Sequence, residues 1–159
     1  MAKKLNQIGL DKKDAVALSK KLNELLANYQ IFYMNSRGFH WNIKGKDFFE
    51  LHIKFEELYS DSFLKIDEIA ERILTLGSVP IHTYTEYMKV AKIKEVKNVS
   101  DGSKALQEIL KGYDVLLPLE RDLLDLSAKM NDEGTNALMS DYIGEQEKLI
   151  WMYSAYLDK

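Results

Sequence analysis

Apolar positions recur at threes and fours along most of the chain. Leu18, Leu22, Leu25, Tyr29, Phe32, Ser36 and Phe39 follow a 4-3-4-3 spacing, the seam of a helix packed in a bundle. Asp11 stands where a cap for that helix belongs, and the pattern runs to His40 or Trp41. A turn over Asn42–Lys46, containing Gly45, leads to Asp47 as the cap of a second helix. Phe48, Leu51, Phe55, Leu58, Ile66, Ile69 and Ile73 supply its stripe. No Gly or Pro interrupts it before Gly77, so it is predicted as one helix of about eight turns. A link this short makes the two helices antiparallel neighbours. Gly77 ends the second helix and Pro80 blocks its continuation. Residues 78–99 form a long, lysine-rich connection carrying Lys89, Lys92, Lys94 and Lys97, with a short helix predicted from about Thr85 to Ala91. A third helix starts near Ser100 or Ser103, with Leu106, Ile109, Tyr113, Leu116 and Leu123 on its face and a bend expected at Pro118. A turn at Gly134 precedes a last helix from about Thr135, faced by Met139, Ile143, Gln146, Ile150, Tyr153 and Leu157.

The class is therefore all-α: four long helices in one domain over residues 11–159, after a short tail, residues 1–10. The tail carries Lys3 and Lys4 and reads as a frayed, solvated terminus. The 159 residues suffice for one real core. Hydrophobic residues make up 46% and charged ones 30%, as in globular proteins. With no cysteine, disulfides, thiolate metal sites and cysteine nucleophiles are excluded. The beginning of the chain lacks a long apolar run, so neither a signal peptide nor a membrane span is expected, and a cytoplasmic location fits. A net charge of −3 does not suit a protein built chiefly to bind nucleic acid.

The candidate chemistry lies between His40 and Glu71. Asp67 and Glu71 are i and i+4 on one helical face. Their helical neighbours include Phe63, Leu64, Ala70 and Leu74 but no Lys or Arg. If buried, two such carboxylates require a counter-charge, either a metal or a basic side chain from elsewhere. Glu68 and Arg72, by contrast, read as an ordinary i,i+4 pair on a solvated face. The short turn brings His40 and His52 close together in space. Glu56, one turn beyond His52, reads equally as a ligand for a second ion, a holder of water, or an exposed charge. His82 reads as a loop residue without a role. Fifteen residues separate His52 from Asp67. At ~1.5 Å rise per residue they are about 22 Å apart along one helix, so no single ion reaches both within one chain. A second copy running antiparallel joins the two half-sites across a two-fold interface. Two imidazoles with two carboxylates suit iron, zinc or manganese. A site with open positions and no thiolate favours redox chemistry on iron over a closed structural zinc.

The motifs FHWNIKG (39–45), LHIKFEELY (51–59) and DEIAERILTLG (67–77) resemble those of the Dps family, the ferritin-like mini-ferritins named for DNA-binding proteins from starved cells. The resemblance spans most of residues 11–157, including the short helix in the crossover between the second and third helices, which is the ferritin-like bundle layout. It implies a hollow dodecameric shell of cytoplasmic subunits. It further implies a ferroxidase centre between two-fold-related subunits, with His40 and His52 from one chain and Asp67 and Glu71 from the other. Glu56 falls where the family often has an acid near a second iron, and Trp41 adjoins the centre, where it takes up stray oxidising equivalents. Hydrogen peroxide is then the preferred oxidant of Fe(II), and ferric iron is mineralised inside the shell. Ordinary ferritins use Glu-x-x-His on two helices, and no Glu-x-x-His occurs here, which disfavours a di-iron centre within one bundle. Asp125, Asp132, Glu133 and Asp141 are candidates for an acidic channel through which iron passes, or simply charges near a turn. Members of the family that bind DNA often have long lysine-rich tails; this chain has two lysines in a short one. Weak or absent DNA binding is expected, with Lys89–Lys97 the possible exception. Two other classes of function compete with the ferroxidase. One is a nucleoid-binding or structural shell with incidental metal binding, and the other is a helical interaction protein on the same scaffold.

Overall fold

The computed structural model describes residues 4–158, and these fold into five helices: α1 (Lys12–Asn42), α2 (Phe48–Thr75), α3 (Tyr84–Val90), α4 (Gly102–Lys129) and α5 (Glu133–Tyr156). The long helices form two antiparallel pairs, α1 with α2 and α4 with α5, joined chiefly through α1 against α4. All seven predicted seam positions of α1, from Leu18 to Phe39, are buried. Asp11 caps α1 by accepting from the amides of Lys13 (2.8 Å) and Asp14 (3.4 Å). Gly77, at φ +90°, takes the left-handed conformation that closes α2, and the Ser78 amide reaches back to the Ile73 carbonyl (3.1 Å). The short crossover helix falls within a residue of its predicted bounds. α4 starts at the predicted place and runs unbroken through the exposed Pro118.

Three asparagines of α1 pin the crossover, a function that no apolar pattern announces. Asn23 accepts from Ile81 N (2.7 Å), Asn28 from Lys92 N (2.9 Å) and Ile93 N (3.0 Å), and Asn35 from Val96 N (2.9 Å). The connection is thus fixed to the bundle by satisfied backbone groups. Lys92 also pairs with Glu24 at 2.7 Å, leaving Lys89, Lys94 and Lys97 exposed and without an ion pair among the described residues.

Two expectations are corrected. Residues 4–10 are not a frayed end. Asn6 folds them over, accepting from Leu10 N (2.9 Å) and donating to the Leu76 carbonyl at the end of α2 (3.2 Å), while Lys12 N bonds to Lys4 O (2.8 Å). Lys3 lies outside the described residues. Nor do Glu68 and Arg72 pair with each other on a solvated face. Arg72 reaches across to Asp132 and to Thr135 Oγ1 (2.9 Å), and Glu68 accepts from Tyr142 Oη (2.6 Å). Glu68 itself stays exposed, but the buried Tyr142 of α5 and the buried cap Asp132 take the place of the i,i+4 neighbour. The α2 stripe also contains two polar positions, Ser62 and Lys65, both buried. Lys65 survives there because Asp61 (2.6 Å) and Glu145 (2.7 Å) flank its ammonium.

Candidate metal centre

The end of α1 and the start of α2 hold the two histidines in a fixed frame. His40, in the last turn of α1, is 9% exposed, and His52 is half-buried. Their rings stack at 3.8 Å between centroids with 19° between planes. His40 Nδ1 lies 2.7 Å from the His52 carbonyl oxygen, and His52 Nδ1 lies 2.8 Å from the His40 carbonyl oxygen. A carbonyl only accepts, so both Nδ1 atoms carry the hydrogen. In the neutral rings, Nε2 then holds the lone pair, and neither Nε2 has a hydrogen-bond partner among the described residues. Metal-binding histidines characteristically donate their second ring nitrogen to a carbonyl or carboxylate in this manner. Phe48 stacks on His52 at 5.0 Å, and the edge of Tyr59 meets His40 at 5.3 Å, so neither ring is free to turn. The sequence pattern indicated that the histidines are neighbours; the reciprocal carbonyl clamp and Tyr59 were missed. Tyr59 stands seven residues past His52 on the same helical face, which was the available signal.

Asp67 and Glu71 lie far along the same helix, and α2 is continuous between them and His52. Both are exposed and make no ion pair or side-chain hydrogen bond among the described residues. Their apolar neighbours are open as well: Phe63 is 58% exposed, Leu64 60% and Leu74 57%. Large apolar side chains around two unpaired acids make an unfinished surface. Among the described residues of one chain, no three His, Asp or Glu side chains come together as a metal site. The structure therefore joins His40 to His52, and Asp67 to Glu71 by their turn of helix, but not one pair to the other.

The remaining candidates divide. Glu56 is exposed one turn beyond His52. Trp41 is 57% exposed, and the Arg37 guanidinium lies over its ring at 4.7 Å. His82 is exposed, with Nδ1 3.0 Å from the Pro80 carbonyl. Asp125, Glu133 and Asp141 are exposed, but Asp132 is not available to a channel. It is 3% exposed, paired with Arg72, and caps α5 through Thr135 N (3.2 Å).

Residues 19–159 match the ferritin-like domain family. Among curated proteins, the chain is 53% identical over 148 residues to an uncharacterized protein of Haemophilus influenzae, covering 93% of this chain and 92% of that one. It is 41% identical, over the full length of both, to the DNA protection during starvation protein of Porphyromonas gingivalis. Among solved structures, the Dps protein of Vibrio cholerae O1, described as a member of a broad superfamily of ferritin-like diiron-carboxylate proteins, superposes with a TM-score of 0.96. It is 56% identical to this chain, with 99% of each chain covered.

Proposed function

Because the chain belongs to the Dps family of ferritin-like proteins, we propose that it is an iron-storing ferroxidase whose metal centre is completed only between two copies. Two α2 helices meet antiparallel through the open face around Phe63, Leu64 and Leu74. His40 and His52 of one copy then face Asp67 and Glu71 of the other. Fe(II) is the substrate, and iron is the cargo of a dodecameric shell in the cytoplasm. Among the described residues, no helix is long and apolar enough to cross a membrane.

The observation that carries this reading is the preparation of the two half-sites. At one end of α2, two imidazoles are locked as Nδ1–H tautomers with their Nε2 lone pairs unspent. Toward the other end, two carboxylates stand on an apolar face, unpaired among the described residues. The histidines bind without adding charge, and the carboxylates, as hard anions, favour Fe(III) over Fe(II) and so ease oxidation. Glu56 serves a second, more weakly held iron. With two irons side by side, hydrogen peroxide takes one electron from each and two protons. Its O–O bond breaks to give two waters, and no hydroxyl radical is released. Trp41 stands beside the histidines as a sink for stray oxidising equivalents.

The experiment mixes anaerobic Fe(II) with peroxide and follows ferric absorbance in the parent protein and in His52→Ala and Asp67→Ala. Loss of rate in both variants supports the proposal, and unchanged rates in both defeat it.

A further inference from the structure

The bundle interior holds a carboxyl group with no part in the proposed iron chemistry. Glu120 of α4 is 0% exposed, and Tyr29 of α1 and Gln146 of α5 are each 2% exposed. The three side chains close a ring of hydrogen bonds. Tyr29 Oη donates to Glu120 Oε1 (2.8 Å), and Gln146 Nε2 donates both to that oxygen (2.6 Å) and to Tyr29 Oη (2.6 Å). All the ring's hydrogens are then used, one from the tyrosine and two from the amide. Two acceptors remain, Glu120 Oε2 and Gln146 Oε1, both buried without a partner among the described residues. Orphaned buried acceptors are costly, and native interiors rarely keep them.

They belong to two groups already joined by one amide-to-carboxyl bond. A hydrogen on Oε2 donated to Gln146 Oε1 closes the second bond of a cyclic acid–amide pair and satisfies both at once. We propose that Glu120 is held as a neutral carboxylic acid in the assembled protein at neutral pH, its proton bridging Oε2 and Gln146 Oε1, and that this makes the α4–α5 packing an alkali-sensitive joint.

The surroundings favour a proton over a metal cation. From α2, the Lys65 ammonium adds positive potential, though Asp61 and Glu145 engage it directly. From α1, the facing group is Tyr29. From α4 they are Tyr113 and Arg121, and from α5 Tyr142, whose hydroxyl bonds to Glu68 of α2. α3 packs on α1 and brings no charge to the ring. Burial raises the Glu120 carboxyl above its ordinary value, outweighing the hydrogen bonds from Gln146 and Tyr29 and the charges of Lys65 and Arg121. Burial likewise raises the hydroxyls of Tyr29, Tyr113 and Tyr142, so they stay neutral. For Lys65, burial opposes the charge, but the bonds to Asp61 and Glu145 prevail and it stays charged. The stabilisation from the Glu120 proton is complete below the unfolded value near 4.5 and is lost as pH rises through the folded one.

Glu120→Gln places an amide N–H where the acid's O–H is proposed to be. Infrared spectra of the assembled protein at neutral pH should show the carbonyl stretch of a protonated acid, absent in Glu120→Gln. The melting midpoint of the variant should match the parent in mild acid and exceed it increasingly toward alkaline pH. Gln146→Leu should keep the acid band but move it toward that of an acid without a hydrogen-bonded O–H. The proposal is overturned if the parent lacks the band, as it would with an ionised Glu120 bridged by water. It is equally overturned if the band persists in Glu120→Gln, if the midpoint difference is constant with pH, or if Gln146→Leu leaves the band where it was.

Discussion

His52 has two separable tasks, one for each ring nitrogen, and two substitutions separate them. In His52→Asn, the side-chain amide nitrogen falls close to the position of Nδ1 and can still donate to the His40 carbonyl, now 2.8 Å from Nδ1, but no atom replaces Nε2. His52→Ala removes both. The alanine variant loses one hydrogen bond, about 1 kcal/mol. It also loses the ring contacts to His40 and Phe48, together about 1 kcal/mol, and regains about 0.5 kcal/mol from helix propensity. The net cost of about 1.5 kcal/mol corresponds to a melting midpoint lower by about 3–6 °C for a chain of this size. The asparagine variant keeps the clamp but loses the ring contacts, and asparagine matches histidine in helix propensity, so it should lose about 1 kcal/mol, roughly two-thirds of that fall. Both variants lack the ligand atom, so both should bind Fe(II) more weakly by on the order of 100-fold, since even outer-shell changes cost 10–100-fold. Calorimetry at one fixed subunit concentration gives the first quantity, and anaerobic Fe(II) titration the second. Parent-like Fe(II) binding by His52→Asn would refute the assignment of Nε2 as the ligand. An alanine variant as stable as the asparagine one would refute the clamp.

Three further outcomes are expected. Gly112→Ala puts a methyl group 2.5 Å from Phe32 Cδ2, so it should cost about 1–3 kcal/mol, read as a lower midpoint in denaturant; a neutral result would show that the α1–α4 contact is slack. Arg72→Ala strips the buried Asp132 of its partner, and with Arg72 itself partly exposed it should cost about 2–3 kcal/mol. Arg72→Lys should restore only part of that, whereas full recovery in a melting experiment would argue against the dependence on the guanidinium fork. In gel shifts, DNA binding should be weak at low salt and gone at moderate salt, given a net charge of −3 per chain and, among the described residues, three exposed crossover lysines without an ion pair. Tight, salt-resistant retardation would contradict this.

The helices were legible because the 3.6-residue period survives in Leu18 through Phe39 and in the two ends of α2. The histidine pairing was legible because a five-residue turn leaves little freedom. Polar burial was not. Lys65, Glu120 and Ser62 occupy core positions, and nothing local distinguishes them from solvated residues; Ser62 bonds back to the Leu58 carbonyl within α2, while Glu145 for Lys65 and Gln146 and Tyr29 for Glu120 come from other helices. Glu68 and Arg72 illustrate the same limit, since the i,i+4 rule describes an isolated helix and α5 offered each a better partner. The asparagine anchors of the crossover likewise depend on distant backbone groups, 58 residues on in the chain for Asn23 with Ile81. The reciprocal carbonyl clamp is fixed by backbone geometry at the turn, which residue spacing does not encode.

The split of the centre between two copies is tested most directly by complementation. Chains carrying His40→Ala and His52→Ala are co-assembled with chains carrying Asp67→Ala and Glu71→Ala, and peroxide-driven Fe(II) oxidation is measured. Each homogeneous assembly should be inactive. In a random equal mixture, half of the two-fold pairs are mixed, and each mixed pair rebuilds one of its two sites, so about one quarter of the parent activity should return. No recovery, despite proven mixed assembly, would contradict the account.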